Sequence, residues 1–159
     1  VQVVVVAVGK LKERYLREAQ AEYAKRLSGY VQLRIEEVAD EPAPEGSGEG
    51  ERLRVLRVEG ERMVRRLRDR DAVVALDRQG EALSSEAWSR AYQRLAGGGY
   101  GRIVFLIGGS HGLDASLLQR AQLCWSFGPL TLPHPLARIV LLEQLYRGIR
   151  IARGEPYHK

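Results

Sequence analysis

The stretch RIVFLIGGSHGLD, residues 102–114, decides how the chain is read. Its first half, 103–107, is a β-branched and aromatic run that stops abruptly at Gly108-Gly109, which is how a buried strand feeding a glycine turn is written. Asp114 stands where a helix N-cap belongs, with a side-chain oxygen able to accept from free backbone N–H groups, so a helix is expected over 115–122. A second apolar run, 123–127, enters Gly128-Pro129-Leu130-Thr131-Leu132-Pro133-His134-Pro135. Prolines fix φ and make this loop rigid. It is also hydrophobic, and an apolar loop calls for burial or for a ligand.

Working outward, the chain alternates strand and helix. Residues 1–8 are almost continuously β-branched, as in a strand covered on both faces. An apolar stripe of period near 3.6 runs through 10–27 (Leu11, Tyr15, Leu16, Ala19, Tyr23, Leu27), and 31–38 alternates as a strand with one polar face. The acidic, Pro/Gly/Ser-rich segment 40–50 (DEPAPEGSGEG) reads as an excursion that does not pack. A helix resumes over 51–70, weakened in the middle by Gly60. A third buried strand is expected at 72–76, ending in Asp77-Arg78-Gln79-Gly80. A helix capped by Ser84 or Ser85 follows, running to Ala96. This order argues an α/β fold, a mostly parallel sheet covered by helices, in one domain of 159 residues.

Composition narrows the function. Hydrophobic residues at 45% and charged ones at 28% fit a soluble globular chain. One cysteine excludes an intrachain disulfide, and Cys124, within an apolar run, reads as a small core residue. His111, His134 and His158 show no metal-ligand spacing, so no metal is expected. The run 1–8 is too short to span a bilayer and lacks the basic flank of a signal peptide, so a cytoplasmic protein is expected. A net charge of +5 permits a nucleic-acid or phosphate partner without demanding one.

In open α/β sheets ligands lie beyond the carboxyl ends of the strands. Three such ends stand out: Leu76-Asp77, Gly108-Gly109, and the loop from Phe127. The glycines admit close approach of a ligand to the main chain, or they simply make a tight turn. Neither GxxxxGK[ST] nor GxGxxG is present, which counts against a nucleotide held by its phosphates. An adenosine held by backbone groups and apolar walls suits the residues better, and S-adenosylmethionine is a ligand of that kind. The closing helix carries an apolar face (Leu136, Ile139, Val140, Leu142, Leu145, Ile149) wider than one sheet contact needs, serving either the chain's own core or a second copy. Glu143 and Arg147 are spaced to pair. Arg138, Arg147, Arg150 and Arg153 are expected to leave this helix as guanidinium groups suited to phosphate.

Five segments taken together, the opening VAVGKLKERY, IGGSHGL, SFGPLTLPHPLAR, EQLYR and the terminal GEPYHK, resemble the RlmH family of bacterial 23S rRNA pseudouridine N3-methyltransferases, of the SPOUT class. The resemblance covers the whole chain. It implies a C-terminal trefoil knot, a homodimer, and a donor site bounded by knot loops and the partner subunit. It also implies action on the assembled ribosome at helix 69. By position it implies donor contacts at Leu76, at Gly108 with its neighbour Gly109, and at Phe127, Gly128, Pro129, Leu130, Thr131 and Leu132. Transfer to a ring N3 requires loss of a proton, and His134, Tyr157 and His158 are the candidates to accept it. Lys159 and the four arginines are the expected RNA contacts. A non-catalytic RNA-binding factor and a different nucleotide-binding enzyme are the alternatives.

Overall fold

The computed structural model describes residues 1–157; His158 and Lys159 lie outside the described residues. Five strands form one parallel sheet in the order β2-β1-β4-β3-β5, with β1 Gln2–Val8, β2 Gln32–Val38, β3 Asp71–Ala82, β4 Arg102–Ile107 and β5 Leu123–Ser126. The helices are α1 Arg14–Leu27, α2 Glu49–Val64, α3 Ser85–Ala96, α4 Ala115–Arg120 and α5 His134–Ala152. The α/β reading holds.

The continuous valine run of β1 is explained by burial on both sides. Val3, Val5 and Ala7 join the cluster packed under α1, α3 and α5, while Val4, Val6 and Val8 join the one under α2 and α4. Successive side chains of a strand point to opposite faces, so a strand with a helical layer on each side must be apolar throughout. Trp88 on α3 is fully buried and stacks on Trp125 of β5 at 4.1 Å. Both tryptophans are core, as their apolar settings imply. The Trp88 indole N–H donates to the Gln144 carbonyl, and a side chain at Gly148 would press on the Trp88 ring at 2.8 Å. Gly148 therefore sets how closely α5 lies on α3. Below the sheet Gly60 does the same for α4, since a Cβ there would meet Asp114 Cβ at 3.1 Å.

Several local expectations are corrected. Helix α1 begins at Arg14 rather than Lys10, and Tyr15 points to solvent at 69% exposure. Helix α2 starts two residues early and stops at Val64. The third strand does not end at Leu76. It continues to Ala82 through a register shift, with Leu76 and Glu81 both opposite Trp125. The acidic segment is not a free excursion either. Glu41 takes Arg62 at 2.7 Å and Arg54 at 3.2 Å, and its backbone N–H donates to Glu59 Oε2 at 2.9 Å. Ser84 caps α3 and Asp114 caps α4 as the sequence suggests.

Candidate active site

All five strands run the same way, so their carboxyl ends gather on one rim. Unpaired backbone groups and turn glycines collect there. The rim has two halves with different chemistry, joined by the turn after β4.

On the β3–β5 side stand Leu76, half-buried at the register shift, and the loop leaving Ser126. Ser126 Oγ accepts from the Gly128 N–H at 3.1 Å and starts the loop. Gly128 has φ +106° with nothing within 4 Å of where a Cβ would lie, so its main chain is open to close approach. Leu130 is 74% exposed, and Pro129 and Thr131 are also outside. Exposed apolar residues beside open backbone are what an adenosine-type ligand needs, and this half fits one.

The turn itself differs from expectation in its reason. A Cβ on Gly108 would lie 2.2 Å from the Gly112 carbonyl oxygen, and Gly112 has φ +88°. Gly108 is thus required by the turn, and a larger residue there would break the turn before it displaced a ligand. His111 is an exposed turn residue.

The β2–β1–β4 side holds a cleft of about 380 Å³ between segment 9–13, segment 40–43, α2, the 109–111 turn and the start of α5. His134 opens α5, with its ring beside Gly9 (3.7 Å from the position of a Cβ there). Burial and the nearby Arg138 hold its pKa below the usual 6.5, partly opposed by Asp40. A neutral imidazole at neutral pH can accept a proton or a hydrogen bond. Opposite sits Glu59, only 5% exposed, with Oε2 engaged by the Glu41 N–H and Oε1 without a partner. Burial pushes its pKa up, and the Glu41 hydrogen bond opposes that. Glu59 was not singled out in the sequence, although a signal existed. It falls on the buried face of α2 with Leu56 and Met63, three residues after one and four before the other.

The arginines divide. Arg138 does not face outward as expected. It is 2% exposed and bonds Glu37 at 2.7 Å, Gln20 at 3.2 Å and the Gly9 carbonyl at 3.1 Å. That fastens α5 to the ends of β1 and β2. Arg147 pairs with Glu143, as its spacing suggests, and Arg150 with Glu155; both are mostly buried. Arg153, 61% exposed, is the guanidinium most open to a polyanion among the four, though it too meets Glu155.

The tail turns back at Gly154 and lays Tyr157 edge-on against Tyr146, ring centroids 4.9 Å apart. Tyr157 donates its hydroxyl to Glu143 Oε2 at 2.9 Å. Burial and that carboxylate push its pKa up to about 12, so the hydroxyl keeps its proton near neutrality. Glu143 lies nine residues along α5 from His134, a rise of about 13 Å, so one chain does not bring Tyr157 to His134. The His158 and Lys159 expectations lie outside the described residues. Among the described residues no group of three or more His, Cys, Asp or Glu is placed to hold a metal, and no helix is long and apolar enough to cross a membrane.

A family model described as "Predicted SPOUT methyltransferase" matches residues 1–158. The chain belongs to the SPOUT methyltransferase family. Curated relatives of this SPOUT chain span nearly its full length. It is 47% identical over 158 residues to "Ribosomal RNA large subunit methyltransferase H" of Desulfitobacterium hafniense, covering 99% of each chain. It is 48% identical, with the same coverage, to the protein of that name in Carboxydothermus hydrogenoformans. The one in Streptococcus pneumoniae is 44% identical over 98% of each chain. SPOUT membership makes this chain a methyltransferase and implies a methyl donor.

Proposed function

We propose that this SPOUT chain methylates N3 of a pseudouridine in helix 69 of 23S ribosomal RNA, on the assembled ribosome in the cytoplasm, using S-adenosylmethionine. The observation carrying the reading is the end-to-end match to relatives named as large-subunit ribosomal RNA methyltransferases. The exposed apolar loop with open backbone at Gly128 supports it. S-adenosylmethionine supplies an electrophilic methyl on a sulfonium. Leu76 and the loop Phe127, Gly128, Pro129, Leu130, Thr131 and Leu132 would hold its adenosine, with Gly108 and Gly109 at the edge. Position is what such an in-line displacement chiefly requires, and a braced rim supplies it. The N3 proton leaves as the new C–N bond forms. His134, kept neutral by its setting, is the described residue of the original candidates suited to take it.

A C-terminal knot and a two-fold homodimer belong to the same reading. Leu136 (40% exposed) and Leu130 are large apolar side chains that one chain leaves open, and a second copy would cover them. The dimer would also carry the tail of one chain toward the other's rim. The basic balance and Arg153 suit a ribosomal partner. Transfer of labelled methyl from S-adenosylmethionine to intact ribosomes, against isolated subunits, tests the function. Label in 23S rRNA at a uracil-type N3 is expected. Donor binding by calorimetry with no label in any ribosomal RNA would overturn it.

A further inference from the structure

The loop expected to hold the donor leaves β5 directly after Trp125 and Ser126, and Trp125 is gripped from both sides. Its ring stacks on Trp88 of α3 at 4.1 Å and 16°, and meets Phe127 edge-on at 4.9 Å and 86°. Leu76 is its register partner on β3. Both Leu76 and Phe127 pack against the core cluster that contains the two tryptophans. Trp125 therefore adjoins both of the apolar residues expected to flank the donor, yet at 2% exposure it does not open on the rim.

The far end of the stack is fixed. Trp88 is fully buried, its N–H reaches the Gln144 carbonyl at 3.1 Å, and its ring meets Phe105 of β4 at 5.7 Å. Beside it Ser89 Oγ donates to the Gly148 carbonyl at 2.7 Å, so α3 and α5 hold Trp88 together. Trp125 Nε1 has no partner among the described residues. A buried donor left unmade costs about 1–3 kcal/mol, which a phenylalanine at this strand position would avoid. Contact of the wide indole with Trp88 and with Phe127 is what offsets that cost.

We propose that Trp125 is a positioning residue for the methyl donor: seated between Trp88 and Phe127, it sets where Phe127 stands relative to Leu76 and so how the adenosine is gripped. This rests on the donor reading above and extends it to a residue that touches no ligand.

The test uses the full chain, S-adenosylmethionine and intact ribosomes. Trp125→Leu keeps an apolar side chain and removes both ring contacts. Its KM for the donor should rise about tenfold with kcat within about twofold, because a looser grip on the adenosine weakens ground state and transition state alike. Trp125→Phe puts a ring back between Trp88 and Phe127 and should return the donor KM to within about threefold of the parent chain. A tryptophan that only fills the core predicts lower stability in both variants with the donor KM unchanged, and that result would overturn the proposal. A second measurement needs no variant to fold. The chain has two tryptophans, both in the stack, so 5-fluorotryptophan labelling of the parent chain gives two fluorine resonances. Saturating S-adenosylmethionine should move at least one of them, and methionine alone should move neither. Two unmoved resonances with donor bound would equally overturn the role of Trp125. A parent chain that binds no S-adenosylmethionine would instead overturn the donor reading itself.

Discussion

The two ends of α5 carry the same residue types to opposite fates. At its start, Arg138 is sealed into the sheet's rim by Glu37, Gln20 and the Gly9 carbonyl, and His134 stands beside it over a cleft. At its end, Arg147, Arg150 and Arg153 stack over Tyr157, Tyr146 and Tyr30, and Arg153 is open to solvent. The first end is built for rigidity, since a guanidinium with three partners fixes the helix relative to three elements. The second is layered and partly exposed, suited to contact. Position within the fold, not residue type, separates an arginine that holds the site together from one available to a partner.

Breaking the first end should have the largest effect. Arg138→Ala removes a buried guanidinium whose carboxylate partner is a third exposed, and should cost about 2 kcal/mol of unfolding free energy, because Gln20, Glu37 and the Gly9 carbonyl lose their donor. Chemical denaturation checks this, and a loss as small as that for Arg153→Ala would erase the distinction. Next, Gly128→Val fills open backbone at φ +106°. Donor affinity by calorimetry should fall more than tenfold, about 1.4 kcal/mol or more, with the chain still folded.

At the other end, Tyr157→Phe removes one hydrogen bond to Glu143 and should cost about 1 kcal/mol. Methylation should stay within about twofold, because a hydroxyl raised to about 12 holds its proton at neutral pH. A large fall in single-turnover rate at unchanged ribosome affinity would restore Tyr157 as a proton acceptor. The smallest effect is Arg153→Ala, about 0–0.5 kcal/mol in stability, as for exposed pairs. Its readout is ribosome binding, whose salt slope should drop by about one.

A pH series sharpens the contrast further. The folded-state pKa of His134 lies below the ordinary 6.5, so folding favours its neutral form. Its contribution is fully present above 6.5 and is lost as pH falls below that value toward the folded one. His134→Gln should therefore lose stability less steeply than the parent chain on acidification through that window. An identical acid profile would show that the histidine is not held neutral.

The features legible in the sequence were those written locally. Valine runs announced strands covered on both faces, Ser84 and Asp114 announced their helices, and the wide apolar face announced α5. What escaped depended on partners distant in sequence. Nothing near Arg138 announces Gln20, Glu37 or Gly9, so it read like its neighbours on the helix surface. Gly108 read either as a ligand contact or as a tight turn, and the constraint that requires a glycine there, the Gly112 carbonyl 2.2 Å from a would-be Cβ, exists only once the turn is closed. The segment 40–50 read as unpacked by composition, yet Glu41 is claimed by two arginines of α2. Glu59 was hidden in plain view on an apolar stripe, where its charge should have raised the question of a partner.

The most direct test of the account is complementation between the two ends. One chain carries Gly128→Val, disabling its donor loop; the other lacks residues 157–159, disabling its tail. Each alone should methylate ribosomes negligibly. If the rim of one copy works with the tail of the other, mixed dimers regain one intact site each, and random pairing restores roughly a quarter of wild-type activity. Mixtures that stay as inactive as their components, despite demonstrated exchange of subunits, would contradict a site shared between two copies.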